Sequence, residues 1–456
     1  MRLTNTLTRR SEELPPARQP AAATTPAAAP TRIGMYFCGP TVYQRIHVGN
    51  ARPFVIAMWL RSWLRARGYD VRLVINITDV NDKIYESAPG ASAALAQQAS
   101  DWYIEDTGLL GLGRPDEEPK ATETVPEIVA LIEELVAKDM AYEAGGDVYF
   151  RVGRFPDYGC LSGQRPDEMQ DQEPNPLKED ARDFALWKAH KPGEDTSWPS
   201  PWGDGRPGWH IECSAMAEKF LGPEFEIHGG GLDLVFPHHE NELAQSRAAG
   251  RGFARVWMHN GMLRFTGEKM SKSVGNVAAL RDVIEQWGRE TFLLFLLTGH
   301  WSKPIDFSDE TMTQAAVQAE SFRNAFRTGA MPAATGPGST GAAPGSAPAA
   351  GPGWDAFAAA LEEDFNTPNA LAIMHAWRAS GELELLGRAL ALFGLESLTQ
   401  EQAAPAAVHE RAQARLAARG RRDFGESDRL RDEIAAAGWT VRDIADPPGY
   451  QLVPAS

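Results

Sequence analysis

Between residues 33 and 77 the chain switches its hydrophobic period twice, and this alternation constrains the fold more than any other feature. Ile33 to Phe37 is an apolar, aromatic run of strand type, Ala51 to Arg67 is helix-like, and Val71 to Ile77 is again strand-like. Strand, helix and strand in that order make a βαβ unit, with parallel strands and a right-handed crossover. A sheet opened this way carries its ligands at the carboxyl ends of the strands. The segments Cys38 to Asn50 and Thr78 to Lys83 fall at those ends.

Downstream, Glu123 to Lys138 is acidic and helix-like, and Asp147 to Pro207, rich in Pro, Asp, Gly and Trp, reads as an inserted, irregular lobe. The sheet is expected to resume near Phe225 to His228. After Asn276 the pattern turns helical, with candidates at Leu280 to Leu297, Asp309 to Arg327, Trp354 to Phe365 and Ala370 to Phe393. Two Ala/Pro/Gly/Ser tracts, 15–30 and 329–353, cannot bury enough apolar surface to order themselves and read as flexible connectors.

At 456 residues the chain is long enough for two to four domains. It contains no run of eighteen apolar residues that could cross a membrane, and Met1 to Arg10 lacks the apolar core of a secretory signal. Three cysteines, Cys38, Cys160 and Cys213, are too few and odd in number for a disulfide framework, which points to a reducing, cytoplasmic setting. The net charge of −16 speaks against non-specific nucleic-acid binding. The exception is the arginine-rich stretch Arg411, Arg415, Arg419, Arg421, Arg422, Arg429 and Arg431, read on charge pattern as a solvated face paired with Glu426, Asp428 and Asp432.

Two short motifs carry chemistry. His47-Val-Gly-Asn50 follows a strand and opens a helix, where backbone N–H groups and the positive helix end receive phosphates. His at a helix start also serves as a cap, and the turn alone does not separate the two roles. Far along the chain, Glu268-Lys-Met-Ser-Lys-Ser273 lies between Gly267 and Gly275 and brings Lys269 and Lys272, mobile cations suited to a triphosphate. A further set, Cys38, Cys213, His238 and Glu242, offers sulfur, nitrogen and oxygen donors. His238 and Glu242 sit four apart, on one face if Pro237 begins a helix. The two cysteines taken singly fit small buried hydrophobes equally well.

The two motifs, in this order and separated by an insertion, resemble the HIGH and KMSKS signatures of class I aminoacyl-tRNA synthetases. Asn50 stands where the first signature has its second histidine; it can donate a hydrogen bond but carries no charge. The segments CGPTVY, WHIECSAM and FPHHENELAQS resemble cysteinyl-tRNA synthetase in particular, as do NITDVNDK at 76–83, DFALWK at 183–188 and EDFNTP at 363–368. In that family the residues corresponding to Cys38, Cys213, His238 and Glu242 hold zinc.

The resemblance implies a Rossmann-type parallel-sheet catalytic domain with an inserted lobe, then an α-helical bundle and a small C-terminal anticodon-binding domain, an α/β fold overall. Its expected boundaries are 1–31 for the N-terminal segment, 32–265 for the catalytic domain with the lobe at about 120–207, 266–308 for the KMSKS loop and stem contact, 309–404 for the bundle, and 405–456 for the last domain. It further implies ATP-dependent activation of L-cysteine and transfer to tRNA(Cys). His47, Asn50, Lys269 and Lys272 would stabilise the phosphates with Mg2+; Gly229, Gly230, Gly231 and Asp233 would receive the adenosine; Gly39, Thr41, Thr78 and Trp209 would line the cysteine pocket. One zinc ion per subunit would select the thiol, because apolar pockets separate cysteine from serine poorly. The expectation is a monomer without membrane contact. The alternatives are a cysteine ligase with an amino-sugar acceptor and a non-catalytic zinc-containing RNA-binding protein.

Overall fold

A computed structural model describes residues 1–15, 30–165, 174–265, 278–327, 351–400, 404–444 and 449–454. They form two compact units, Met1–Leu398 and Thr399–Ser456. The first opens with a hairpin, β1 (Arg2–Asn5) and β2 (Arg10–Glu13), and then enters the βαβ unit: β3 (Arg32–Phe37), α1 (Val48–Ala66) and β4 (Asp70–Ile75). β3 and β4 pair in parallel, Ile33 opposite Val71 and Phe37 opposite Ile75. Ile33 to Phe37 are all buried, the pattern of a parallel strand covered on both faces.

After α2 (Asp82–Ser87) and α3 (Ser92–Gly108), α4 (Val125–Ala137) buries Ile128, Leu131, Ile132 and Leu135 along one stripe. That stripe shares a core with β5 (Ala141–Ala144), β6 (Asp147–Phe150) and β7 (Phe184–Ala189). With β8 (Gly205–Pro207) these strands form an antiparallel sheet in the order β5-β6-β7-β8. The segment 147–207, expected to be irregular, therefore carries three strands. The long excursion between β6 and β7 and the register shift at Val148/Tyr149 break the alternation that marks a hairpin.

The chain then returns through α5 (Trp209–Leu221), β9 (Glu224–Gly231), α6 (Glu240–Ala248) and β10 (Phe253–Asn260). The main sheet has the order β10-β9-β3-β4, parallel throughout. From β3 the chain steps outward to β4 and re-enters on the opposite side at β9, so the strand order reverses between β3 and β9. The crevice outside that reversal is where open parallel sheets place their ligands. Cys38 follows β3, and Gly229 to Gly231 end β9.

β11 (Leu263–Phe265) pairs in parallel with β12 (Ile305–Phe307). Between them the expected helix 280–297 is two helices, α7 (Leu280–Trp287) and α8 (Arg289–Leu297), parted at Gly288 with φ +79°. After α9 (Asp309–Arg327) and α10 (Trp354–Glu362), the expected helix 370–393 likewise divides at Gly381, also φ +79°, into α11 (Thr367–Ser380) and α12 (Leu383–Leu392). A left-handed glycine ends a helix at little steric cost, and apolar periodicity continuing past it conceals the break. These helices join the core of α1: Trp59 donates its indole N–H to the Phe393 carbonyl at 2.9 Å, and Trp63 meets Phe357 edge to face.

The second unit holds α13 (Ala406–Gly420), α14 (Phe424–Ala436) and the antiparallel pair β13 (Trp439–Ile444) and β14 (Gly449–Pro454) around Val408, Ala412 and Ile434. Much of its arginine stretch is paired: Arg429 with Glu426 and Glu433, Arg431 with Asp428, and Arg415 and Arg419 with Asp443. No described helix is long and apolar enough to cross a membrane.

Candidate active site and metal centre

Four side chains separated by up to 204 residues converge behind the reversal point. Cys38 leaves β3, Cys213 projects from α5, His238 lies in the turn Val235–His239, and Glu242 stands in the first turn of α6. The helix starts at Glu240 rather than at Pro237, yet His238 and Glu242 still face each other, Nε2 to Oε1 at 3.0 Å. Cys38 Sγ lies 3.6 Å from Cys213 Sγ, 3.6 Å from His238 Nε2 and 3.4 Å from Glu242 Oε1. All four residues are buried, with one donor atom from each inside a 4.8 Å span.

Burial, then Cys213, pushes the Cys38 thiol well above its ordinary range, and burial, then His210 and His228, holds His238 well below its own. A buried thiol and a neutral imidazole turned toward one point are what a divalent cation binds, displacing the thiol's proton and taking the imidazole's lone pair. Two sulfurs, one imidazole and one carboxylate fit zinc. An overlapping set, Cys38, His228, His239 and Glu242, meets the same distance limit. It fits less well, because it offers one sulfur rather than two and His228 Nε2 already engages Glu242 Oε2 at 2.8 Å.

The layer behind the cluster was not legible as such in the sequence. His228 orients Glu242, and His210 Nδ1 meets His238 Nδ1 at 2.9 Å, one ring donating to the other. Partners of this kind fix the orientation of metal ligands. The indole of Trp209 stacks on His238, ring centroids 4.2 Å apart at 21°. The adjacency of Trp209 and His210 to Cys213 in WHIECSAM was the available signal.

In front of the cluster opens a cleft of about 500 Å³, lined by Cys38, Gly39, Thr41, His47, Asn50, Trp209, Gly231 and Asp233 among the residues singled out above. Tyr43, Lys83 and Asn260, which the sequence reading did not single out, line it too. Cys213, His238, Glu242, Thr78, Gly229 and Gly230 do not. Thr78 is buried, and its backbone pairs with Pro40 and Val42, setting the bridge between Thr41 and Thr78. The Gly39 N–H donates to Asn76 Oδ1 at 2.9 Å, and Asn76 donates onward to Thr78 Oγ1 at 3.1 Å. A Cβ on Gly39 would stand 1.7 Å from the Asn76 carbonyl oxygen, and one on Gly229 2.3 Å from the Phe37 ring, so both positions require glycine. Lys269 and Lys272 lie outside the described residues.

His47 is both cap and candidate donor. Its Nδ1 accepts the Gly49 N–H at 3.1 Å, while Asn50 Oδ1 accepts the His47 N–H at 3.4 Å, a reciprocal cap for α1. Burial, opposed by Asp233, lowers its pKa. The neutral ring with Nδ1 as acceptor carries its proton on Nε2, and Asn50 keeps its amide N–H groups for another partner. The cap thus selects the tautomer that donates.

Residues 24–317 match the family model for the class I (C) tRNA synthetase catalytic domain, and residues 356–378 match the DALR domain. The cysteine–tRNA ligase of Rubrobacter xylanophilus is 44% identical over 453 residues, covering 91% of this chain and 95% of the relative. That of Brevibacillus brevis is 41% identical and covers 97% of each. Among solved structures, methionyl-tRNA synthetase of Mycobacterium tuberculosis bound by methionyl-adenylate superposes with a TM-score of 0.55 at 16% identity, over 81% of this chain and 89% of the other, a likeness of fold. A reversed parallel sheet with a buried thiol-bearing cluster under its cleft, and full-length identity above 40% to such relatives, place this chain in the cysteine–tRNA ligase family of class I aminoacyl-tRNA synthetases.

Proposed function

We propose that the chain activates L-cysteine with ATP and transfers it to the 3′ end of tRNA(Cys). The observation that carries this reading is the junction at Cys38 and Gly39, where the four-donor cluster touches the cleft beside the N-terminus of α1. Cys38, Cys213, His238 and Glu242 would hold zinc, which supplies a Lewis acid that prefers a thiolate to serine's hydroxyl. Gly39, Thr41 and Trp209 shape the pocket, while Thr78 holds the Cys38–Val42 turn from behind.

ATP lies across the opening, with Gly231 and Asp233 at the ribose and the phosphates at the N-terminus of α1. The cysteine carboxylate attacks the α-phosphorus, the bond to the β-phosphate oxygen breaks, and pyrophosphate leaves. His47 Nε2–H and the Asn50 amide donate to the phosphate oxygens, joined by Lys269, Lys272 and Mg2+ as charge develops. No protein nucleophile is needed. In the second step the terminal ribose hydroxyl of the tRNA attacks the activated carbonyl and adenylate leaves. The reading takes the enzyme as a cytoplasmic monomer whose last unit, 405–456, meets the anticodon; the free state of all three cysteines supports the compartment.

Exchange of labelled pyrophosphate into ATP tests the reading. Exchange is expected with cysteine and not with serine; exchange supported equally by both, or by neither, defeats it. Charging of tRNA(Cys) transcripts then separates this function from transfer to an amino-sugar.

A further inference from the structure

Two residues after Asn50, α1 buries a cation that the steps above do not use. Arg52 is 1% exposed and forms no ion pair with a described carboxylate. Its terminal nitrogens donate instead to backbone carbonyls: Gly261, Met262 at 3.5 Å, His300 at 2.9 Å and Lys303 at 2.8 Å. Burial lowers its pKa to about 10, which leaves it charged at neutral pH. A guanidinium paired with a carboxylate cancels its charge locally; one satisfied by carbonyl dipoles retains it.

The carbonyls belong to two segments that meet under the cleft. Gly261 and Met262 form part of its lining, in company with Asn50 and Pro53. The turn ending at Lys303 presses on them from behind: a Cβ on Gly261 would lie 2.3 Å from the Lys303 carbonyl and 2.7 Å from the Pro304 nitrogen. The two segments continue as the parallel pair β11 and β12. β11 is the last described strand before Glu268 to Ser273. Beyond that stretch the Val48 N–H bonds the Ala278 carbonyl at 3.1 Å and the Leu280 N–H bonds the Ile46 carbonyl at 3.0 Å. The first turns of α1 therefore anchor the chain on both sides of the second motif.

We infer that Arg52 is a positioning residue for nucleotide binding, holding the Gly261–Met262 floor in register with the His47 turn and placing a fixed positive charge beneath the phosphates. The inference rests on the ATP-activating reading of the cleft. It assigns Arg52 an effect on ATP that it does not have on cysteine, whose pocket lies across Gly39 and Trp209.

Three variants test it: Arg52→Met, which removes the charge; Arg52→Lys, which keeps the charge without the fork; and Gly261→Ala, which displaces the floor and leaves Arg52 intact. ATP binding is measured by calorimetry, and KM for ATP and for cysteine by pyrophosphate exchange. ATP affinity is expected to fall about tenfold in Arg52→Met and in Gly261→Ala and by less in Arg52→Lys, with KM for cysteine within about twofold of the parent. Folded variants that bind ATP like the parent, or that raise both KM values together, overturn the inference while the reading of the cleft stands. A parent protein that does not bind ATP overturns both. If neither Arg52 variant shows a cooperative melting transition, Gly261→Ala decides.

Discussion

The buried cluster and the open cleft share Cys38 and Trp209, yet they are built on opposite principles. In the cluster, the four donors are buried side chains, and two of them have fixed neighbours: Glu242 on His228, His238 on His210 and Trp209. In the cleft, backbone contributes to what faces the opening: the N-terminus of α1, Gly231 at the end of β9 and the turn at Gly39. The difference teaches how one site serves two demands. Telling sulfur from oxygen requires rigid, dehydrated donors, whereas neutralising a triphosphate that must enter and leave requires N–H groups and cations that solvent still reaches.

This contrast predicts that damage on one side leaves the other intact. Cys213→Ala should reduce cysteine-dependent exchange on the order of a thousandfold and abolish stoichiometric zinc, with ATP affinity close to the parent's; parallel loss of ATP binding would merge the two regions. On the other side, His47→Ala should lower kcat/KM for ATP about a hundredfold and destabilise α1 by about 1 kcal/mol, zinc content unchanged. His47→Asn keeps a capping oxygen, so it should recover the stability and not the rate.

Protons distinguish the regions as well. Burial lowers His259, which bridges His239 and Thr6, to about 3, so its proton binds the unfolded chain preferentially. The stability it contributes is complete above the unfolded histidine value near 6.5 and is lost as pH falls toward 3, about 2 kcal/mol of it by pH 5. Urea titrations at pH 7 and pH 5 should show at least that loss, and His259→Gln should shrink it by about 2 kcal/mol, the share of the other buried histidines remaining. The smallest effect is expected from His228→Gln, about tenfold in zinc affinity measured by chelator competition, because Glu242 keeps its place on α6 and loses one partner.

Much of this contrast was readable in the residues. The parallel sheet followed from the alternation at 33–77, and the four donors named from resemblance come together in space. What escaped was set by contacts distant in sequence. Arg52 reads as one more arginine on a helix until residues 261, 300 and 303 approach it. The lobe's sheet was hidden by short strands, and helices 280–297 and 370–393 by glycines whose φ sign no periodicity reports. Thr78, named for the pocket, is buried and does not line the cleft; its backbone pairs with Pro40 and Val42, a contact no local pattern reports.

The amino-terminal hairpin sets an order on synthesis. Asn5 satisfies the exposed edge of β10 through the Arg255 carbonyl and the Trp257 N–H, while Thr4 binds Asp364 through both its N–H and its hydroxyl at 2.7 Å. Asn5 and Thr4 therefore wait for partners made some 250 and 360 residues later. Closing loops of that length is entropically slow, so the catalytic unit cannot complete itself as a nascent chain until Asp364 has emerged. A ribosome-bound fragment ending before that point should keep its first strand protease-sensitive.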